Sequence, residues 1–173
     1  MKIVIIGAQG VGKTTLAQHI NKDYPQFRIL PEAARLAQKA GYKLDHTATV
    51  ETELWLINKQ IELESEEDDW VADRCGIDLL AYIQYLFSQE HDLIEFATKT
   101  LVPKFSNYDL IIYLPSGEFV IEDDGIRTTD IKFQKDIDSQ IRDILEKHKI
   151  QFVKIIGTPK ERLEKVREIL DFN

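Results

Sequence analysis

Cysteine is almost absent from this 173-residue chain, and several other features are missing altogether. Cys75 is the single cysteine, so neither an internal disulfide nor a cysteine-rich zinc site can form. No apolar run approaches the ~18 residues needed to span a membrane, and the first residues lack the pattern of a secretory signal. Internal repeats and linker-like stretches rich in Gly, Ser or Pro are also missing. The sequence therefore predicts a cytoplasmic protein with one domain over residues 1–173.

Acidic residues outnumber basic ones, at 30 against 22, which gives a formal net charge of −8. This balance argues against broad binding to nucleic acid, because that affinity comes largely from counterion release by Lys and Arg. A hydrophobic content of 43% with 30% charged residues is ordinary for a folded globular protein. The most acidic stretch, Glu62–Asp69, has six acidic residues in eight. We interpret it as a solvated helix end and turn without a chemical role.

Short, continuous apolar runs mark the predicted strands. Three of them are Lys2–Ile6, Asp109–Leu114 and Phe152–Ile156, and two shorter candidates are Phe27–Leu30 and Trp70–Asp73. Continuous runs rich in β-branched residues, rather than alternating ones, are typical of strands covered on both faces in a parallel sheet. We therefore predict five parallel strands.

Apolar residues at helical spacing lie between these runs. One predicted helix face consists of Ile137, Ile141, Ile144 and Leu145, and another of Leu54, Ile57 and Ile61, with Glu64 as a further candidate. Strands that alternate with helices form right-handed βαβ units. The expected fold class is therefore α/β, a three-layer sandwich with helices on both faces of the sheet.

A phosphate-binding loop carries the strongest functional signal. The motif G-x-x-x-x-G-K-[ST] is formed by Gly7, Ala8, Gln9, Gly10, Val11, Gly12, Lys13 and Thr14, and Thr15 follows as a further expected nucleotide contact. A chance match anywhere in the chain has a probability below about 1%. The loop also lies where its mechanism requires, directly after a predicted strand and before a helix. Backbone N–H groups and the helix N-terminus bind phosphate oxygens, while Lys13 reaches the β- and γ-phosphates and Thr14 binds Mg²⁺.

Two other classes of P-loop protein are disfavoured. Asp73-Arg74-Cys75-Gly76 matches the D-x-x-G of GTPase switch loops, but a guanine-reading N-K-x-D should then follow a later strand. The two N-K pairs, Asn21-Lys22 and Asn58-Lys59, both lack the aspartate two residues later, and both precede the Asp73 strand. An ABC-type subunit would need a segment like L-S-G-G-Q, and none is present.

Three charged residues suggest a kinase. Transfer of phosphate to a small molecule needs a carboxylate for the acceptor hydroxyl, an acid that supports the metal, and a mobile cation. Glu32 and Asp73 each end a predicted strand, where active-site groups collect in a doubly wound sheet. Arg127 lies in a polar loop before the helix that begins near Asp130. The alternatives are a solvated carboxylate for Glu32, a structural ion pair between Asp73 and Arg74, and an exposed loop cation for Arg127.

A family resemblance covers nearly the whole chain. The chain resembles the P-loop nucleoside/nucleotide kinase superfamily in five segments. In chain order these are GAQGVGKTT, PEAAR, DRCGIDLLAY, DDGIRTTD and IIGTPKERLEKV. More specifically, the chain resembles the AAA-type branch that includes the ribosylnicotinamide kinase domain of the bacterial NAD regulator. The resemblance implies the sheet order 2-3-1-4-5, a lid around Arg127–Lys135 and an adenine-side loop at Gly157–Glu161. It also implies an acceptor pocket between Glu32, the Val50–Leu63 helix and the Asp73 strand.

The resemblance further implies roles for single residues. Glu32 corresponds to the acceptor-side carboxylate of deoxynucleoside kinases, and Asp73 to the acid of their D-R-S element, which helps to hold Mg²⁺ through water. Arg74 then braces Glu32 or contacts phosphate, although Cys75 replaces the serine of that element. Arg127 resembles a lid arginine that covers the phosphates. Arg35 and Gln60 are further candidates for contact with the acceptor.

The function predicted from the sequence is thus an ATP- and Mg²⁺-dependent kinase. Its acceptor is expected to be a small nucleoside-like molecule such as ribosylnicotinamide, a nucleoside or a nucleotide. The lid has one clear arginine, which favours a neutral or singly charged acceptor. Two alternatives stay open: a regulatory ATP-binding module that signals to a partner, and a polynucleotide 5′-hydroxyl kinase, which the acidic charge disfavours.

Overall fold

Five parallel strands form the central sheet, in the order β2-β3-β1-β4-β5. The computed structural model describes residues 1–65, 69–117 and 130–171. The strands are β1 (Lys2–Ile6), β2 (Arg28–Leu30), β3 (Trp70–Asp73), β4 (Leu110–Tyr113) and β5 (Val153–Lys154). Both the α/β class and the strand order agree with the prediction.

Seven α-helices lie in the described part of the chain. They are α1 (Lys13–Asp23), α2 (Ala33–Lys39), α3 (Val50–Glu64), α4 (Gly76–Leu86), α5 (His91–Leu101), α6 (Ile131–Lys147) and α7 (Pro159–Asp171). Short 3₁₀ turns occupy Asp45–Thr47 and Val102–Asn107. None of the helices in the described ranges is long and apolar enough to cross a membrane.

Alternate residues of β1 separate the core into two layers, because successive side chains of a strand point to opposite faces. Ile3 and Ile5 pack with side chains of α1 and α7. Val4 and Ile6 pack on the other face with side chains of α4, α5 and α6. All four are fully buried, so the strand that leads into the phosphate-binding loop is held from both sides.

Strand register brings the predicted site residues to one edge of the sheet. Ile5 pairs with Asp73 of β3, and Ile6 pairs with Tyr113 of β4. The loop that follows β1 therefore begins beside the carboxyl end of β3. This is the edge at which open parallel sheets bind their ligands.

Two details of the predicted pattern are wrong. The run Phe152–Ile156 forms only a two-residue strand, and Phe152 and Val153 are exposed rather than covered, because β5 lies at the edge of the sheet. On α3, Leu54 is exposed, whereas Glu53, Leu56, Ile57, Gln60 and Leu63 are buried. The buried face of α3 contains three polar residues, Thr52, Glu53 and Gln60, that apolar spacing does not reveal.

Candidate nucleotide and acceptor site

The phosphate-binding loop has backbone geometry that only glycine provides. Gly7 has φ +147°, and a Cβ at this position would lie 2.4 Å from the carbonyl oxygen of Leu114. Gly12 adopts the left-handed conformation, with φ +89°, as the N-cap of α1. A larger residue at Gly7 would collide with the backbone that follows β4, so the tight turn depends on the first glycine of the motif.

Lys13 and Thr14 are oriented by contacts within this edge of the sheet. Lys13 is buried, and its Nζ donates to the carbonyl oxygens of Gly7 (2.8 Å) and Ala8 (2.6 Å). The Thr14 hydroxyl donates to Oδ2 of Asp73. The lysine thus extends back along the loop, and the hydroxyl and carboxylate predicted to serve one metal ion are in contact.

The Thr14–Asp73 pair has the chemistry that Mg²⁺ requires. Both side chains offer oxygen, the ligand atom this ion prefers. Oδ1 of Asp73 is buried and has no hydrogen-bond partner among the described residues, so it can accept one from a metal-bound water. Within the same ranges no cluster of three His, Cys, Asp or Glu side chains could hold a metal by itself. The residues therefore fit a magnesium ion that is bound together with nucleotide phosphates.

Arg162 braces the loop from the far end of the chain, a role that sequence reasoning missed. It is 2% exposed on α7, its Nη1 donates to the Val11 carbonyl at 2.5 Å, and its Nε donates to the Gly157 carbonyl at 2.8 Å. A Cβ at Gly12 would lie 3.3 Å from the same guanidinium group. Arg162 therefore joins the phosphate-binding loop to the predicted adenine-side loop. No motif marks it, since arginine in an amphipathic helix is usually exposed.

Asp78 holds the other side of the loop and was also missed. It is 1% exposed, and its carboxylate accepts from the backbone N–H of Gly7 and of Cys75, both at 3.0 Å. Burial raises the pKa of Asp78, although Arg74 and Lys13 act in the opposite direction. The spacing Cys75-x-x-Asp78 is a capping box with cysteine in place of serine, and this was the available signal.

Gln9 connects the loop to α6 and, at a second point, to α4. Its Oε1 accepts from the Tyr82 hydroxyl of α4 at 3.0 Å, and its backbone carbonyl accepts from Gln134 Nε2 of α6 at 2.6 Å. The aromatic ring of Tyr82 in turn lies 4.8 Å from the Arg74 guanidinium carbon. The phosphate-binding loop is therefore linked directly to residues around Glu32.

Glu32 lies in a network of ion pairs. Its side chain is 7% exposed and contacts Arg35 Nε at 3.0 Å and Arg74 Nε at 3.2 Å. The alternative of a solvated carboxylate is therefore wrong, and the predicted contact of Arg74 with Glu32 is present. Arg74 itself has φ +80°, a left-handed conformation rare outside glycine. Such strain clusters at functional sites, where surrounding contacts maintain it.

A pocket of about 570 Å³, its open mouth included, adjoins this network. Four leucines supply much of its apolar wall: Leu44, Leu56, Leu79 and Leu86. Its polar lining consists of Glu32, Asp45, Glu53, Gln60, Arg74 and Asp78. The structure therefore brings together the predicted residues Glu32, Gln60 and Arg74. Arg35 reaches the pocket through Glu32.

Gln60 is held by a chain of hydrogen bonds. Its Nε2 donates to Glu64 Oε1 at 2.8 Å, and the Tyr108 hydroxyl donates to Glu64 Oε2 at 2.8 Å. The Tyr108 oxygen also accepts from the Gly76 N–H at 3.3 Å. Burial raises the pKa of Glu64. The acidic stretch predicted to be solvated therefore contains one residue that positions a pocket side chain.

Glu53 is the third residue that sequence reasoning missed. It is 3% exposed, and its Oε2 has no hydrogen-bond partner in the part of the chain that the structure describes. Burial, with a smaller effect of Asp45, raises the pKa of Glu53 to about 8.

Arg127, the predicted lid arginine, lies outside the described residues.

Comparison with known proteins agrees with this architecture. A family model described as AAA domain matches residues 2–162. The NadR protein in complex with NR has a TM-score of 0.77 at 19% identity, and the alignment covers 96% of this chain but 50% of that one. The chain thus spans half the length of the NadR protein.

A second neighbour matches end to end. Deoxyadenosine kinase from M. mycoides with bound dATP has a TM-score of 0.73 at 15% identity, with 99% of each chain covered. The same kinase with the products dCMP and a flexible dCDP has a TM-score of 0.71 at 14% identity. At these identities the likeness establishes the fold. Comparison with curated proteins gives no match.

Proposed function

We propose that this chain, which belongs to the AAA domain family and has a P-loop nucleoside kinase-like fold, is an ATP-dependent kinase. The γ-phosphoryl group of ATP would pass to a hydroxyl of a small nucleoside-like acceptor. One observation carries the proposal: Asp78 and Tyr82 line the pocket that holds Glu32, and both hydrogen-bond to the phosphate-binding loop. A phosphate site and a pocket that holds Glu32 are therefore contiguous.

The nucleotide binds at residues 7–15 in this proposal. The loop backbone and the N-terminus of α1 receive the phosphates. Lys13 exchanges its contacts with the Gly7 and Ala8 carbonyls for phosphate oxygens. Mg²⁺, held by Thr14 and by Asp73, supplies positive charge to the β- and γ-phosphates. Arg127 covers the transferred group, a role supported by the sequence pattern alone.

Glu32 acts on the acceptor. It lies in a mostly apolar pocket, and Arg74 and Arg35 stabilise its negative charge. A carboxylate fixed in this way accepts the hydrogen bond of the acceptor hydroxyl and orients it, or removes its proton, as transfer proceeds. Arg74 thus has a positioning role through Glu32, and Gln60 offers a polar contact on the opposite wall.

The acceptor class follows from the lining and from the neighbours. The six polar residues that line the pocket include four carboxylic acids and one arginine, which favours a neutral or cationic molecule over a nucleoside monophosphate. The neighbours bind NR in one case and deoxynucleotides in the other. We therefore infer a nucleoside or ribosylnicotinamide as the acceptor.

The direct test is Mg²⁺-dependent ADP release from ATP across nucleosides, ribosylnicotinamide and nucleoside monophosphates. Lys13→Ala is the blank, and Lys22→Ala, an exposed lysine of the same helix, is the matched control. We expect one acceptor class to stimulate release in the wild type and in Lys22→Ala, but not in the blank. A flat panel with ATP binding intact would contradict the proposal and favour a regulatory ATP-binding module.

A further inference from the structure

Glu53 is a buried acid without the contacts that normally accompany burial. It lies in the first turn of α3 and is 3% exposed, whereas Glu51 in the same turn is exposed. Oε2 of Glu53 has no hydrogen-bond partner within the described ranges. An unsatisfied buried polar atom costs about 1–3 kcal/mol. Proteins retain such a group where a ligand completes its hydrogen bonds.

The pocket is where that ligand would lie. Glu53 is part of its lining, together with the four leucines, so a ligand in the pocket would lie against the side chain that carries the unsatisfied oxygen. Six other lining residues carry titratable groups: Glu32, Asp45, Arg74, Cys75, Asp78 and Tyr82.

Arg74, the one cation among them, faces Glu32 and the Tyr82 ring, and Arg35 of α2 faces Glu32 as well. Asp45, the neighbour that influences Glu53, carries the same sign of charge. In the described part of the chain, no cation offsets the burial of Glu53.

Resting on the kinase function proposed above, we propose that Glu53 selects the acceptor by binding it as a neutral carboxylic acid. In this form one oxygen donates a hydrogen bond and the other accepts one. The complementary group on the acceptor is itself neutral and both donates and accepts, as a sugar hydroxyl or a primary amide does. An anionic group is excluded, because Asp45 lies nearby and no cation compensates. The pKa of about 8 agrees with a neutral Glu53 at physiological pH.

Gln60 supplies a second contact on the same wall. Its amide orientation is set by Glu64, which receives the Nε2 hydrogen bond at 2.8 Å, so the amide oxygen is left as an acceptor. Glu53 and Gln60 lie about two helical turns apart, or ~10 Å along the axis. One acceptor molecule can therefore touch both, and α3 acts as its specificity wall.

The experiment compares three variants by steady-state ADP release. Glu53→Leu removes both hydrogen bonds and keeps the volume, Glu53→Gln keeps a donor and an acceptor without a charge that titrates, and Glu51→Gln removes an exposed acid of the same helix. We expect Glu53→Leu to raise the acceptor KM at least about tenfold, the equivalent of one lost hydrogen bond. Its ATP affinity should match that of Glu51→Gln, and its thermal unfolding temperature should be no lower, because leucine removes a buried polar atom that has no partner among the described residues.

The pH profile separates a neutral from an ionised Glu53. The wild-type acceptor KM should rise above about pH 8, where the carboxyl group ionises. Glu53→Gln should bind acceptor within about threefold of wild type at pH 7, since its amide offers the same donor and acceptor, and its KM should not rise at alkaline pH. If Glu53→Gln loses as much affinity as Glu53→Leu, the neutral form is wrong.

Paired probes identify the group that Glu53 contacts. Adenosine against 2′-deoxyadenosine tests a sugar hydroxyl, and ribosylnicotinamide against the riboside of nicotinic acid tests a primary amide. The pair whose KM difference disappears in Glu53→Leu names the group, and persistence of both differences overturns the inference. An active wild type whose three variants share one KM overturns this inference alone. A wild type inactive on every acceptor overturns the kinase proposal, on which it rests.

Discussion

Replacing Arg162 with methionine tests whether a residue of the last helix maintains the phosphate-binding loop. The wild-type guanidinium group donates to the Val11 carbonyl at 2.5 Å and to the Gly157 carbonyl at 2.8 Å, in a side chain that is 2% exposed. Methionine retains much of the packing but neither hydrogen bond. The buried carbonyl of Val11 and the partly buried carbonyl of Gly157 would lose this donor.

The expected loss can be worked from these contacts. A hydrogen bond to a charged group contributes about 1.5–3 kcal/mol, which sets an upper limit near 6 kcal/mol for two. Removing the buried charge also removes the free-energy penalty of its desolvation, which offsets part of this loss. We therefore expect the free energy of unfolding to fall by about 2–4 kcal/mol. Because the Val11 carbonyl belongs to the loop, ATP should bind at least about tenfold more weakly, which corresponds to 1.4 kcal/mol.

Urea unfolding and calorimetric titration with MgATP measure the two quantities. Arg167→Met is the matched control, since Arg167 lies on the same helix, is 47% exposed and pairs with Asp23; its loss should cost no more than about 1 kcal/mol. Arg162→Lys, which keeps the charge without the forked geometry, should fall between the wild type and Arg162→Met. If Arg162→Met matches Arg167→Met in both assays, the bracing role of Arg162 is refuted.

Three further predictions concern the acceptor side. Glu32→Gln should lower kcat about 10²- to 10⁴-fold, the usual contribution of a general base, while the Kd for ATP measured by titration stays constant; equal losses in both would contradict the role. Tyr108→Phe removes the hydrogen bonds to Glu64 and from Gly76, so unfolding free energy should fall by about 1–2 kcal/mol and the acceptor KM should rise as Gln60 loosens. Tyr24→Phe, which loses an exposed contact to Asp171, should do neither. For Glu53 the folded pKa is about 8 against an ordinary 4.5, so the folded protein keeps a proton that the unfolded chain has released. Its contribution to stability is complete below pH 4.5 and declines up to about pH 8. The free energy of unfolding of Glu53→Gln, measured with urea at several pH values, should lack that part of the decline. If its slope against pH equals that of the wild type, Glu53 is ionised in the folded protein.

The nucleotide side of the site was largely predictable from the sequence. Its residues are contiguous in the chain, and the backbone geometry at Gly7 and Gly12 demands a recognisable residue type. The prediction of the central strands succeeded for the same reason, since β1 and β3 are buried on both faces and read as unbroken apolar runs. Strand β5 failed because an edge strand of two residues satisfies only part of that pattern.

The acceptor side was less predictable because its residues are polar and buried. Glu53 and Glu64 look in sequence like the exposed Glu51 and Glu62 near them, and only tertiary packing distinguishes them. Glu51 and Glu53 lie two residues apart on one helix, yet one is exposed and the other is 3% exposed. Hydrophobic periodicity assigns a helix face by its apolar residues, so it misplaces a face that is lined with polar groups for a ligand.

The central position of β1 has a consequence for how the protein folds. This strand precedes its partners along the chain, yet it pairs with Trp70–Asp73 on one side and with Leu110–Tyr113 on the other. Pairings between segments so distant in sequence form slowly, because the chain entropy is lost before the contacts are gained. Until β4 has been synthesised, the apolar segment Lys2–Ile6 has at least one open edge and can associate with other chains. Substitutions in β1 should therefore first lower the yield of folded protein and increase its dependence on chaperones during synthesis.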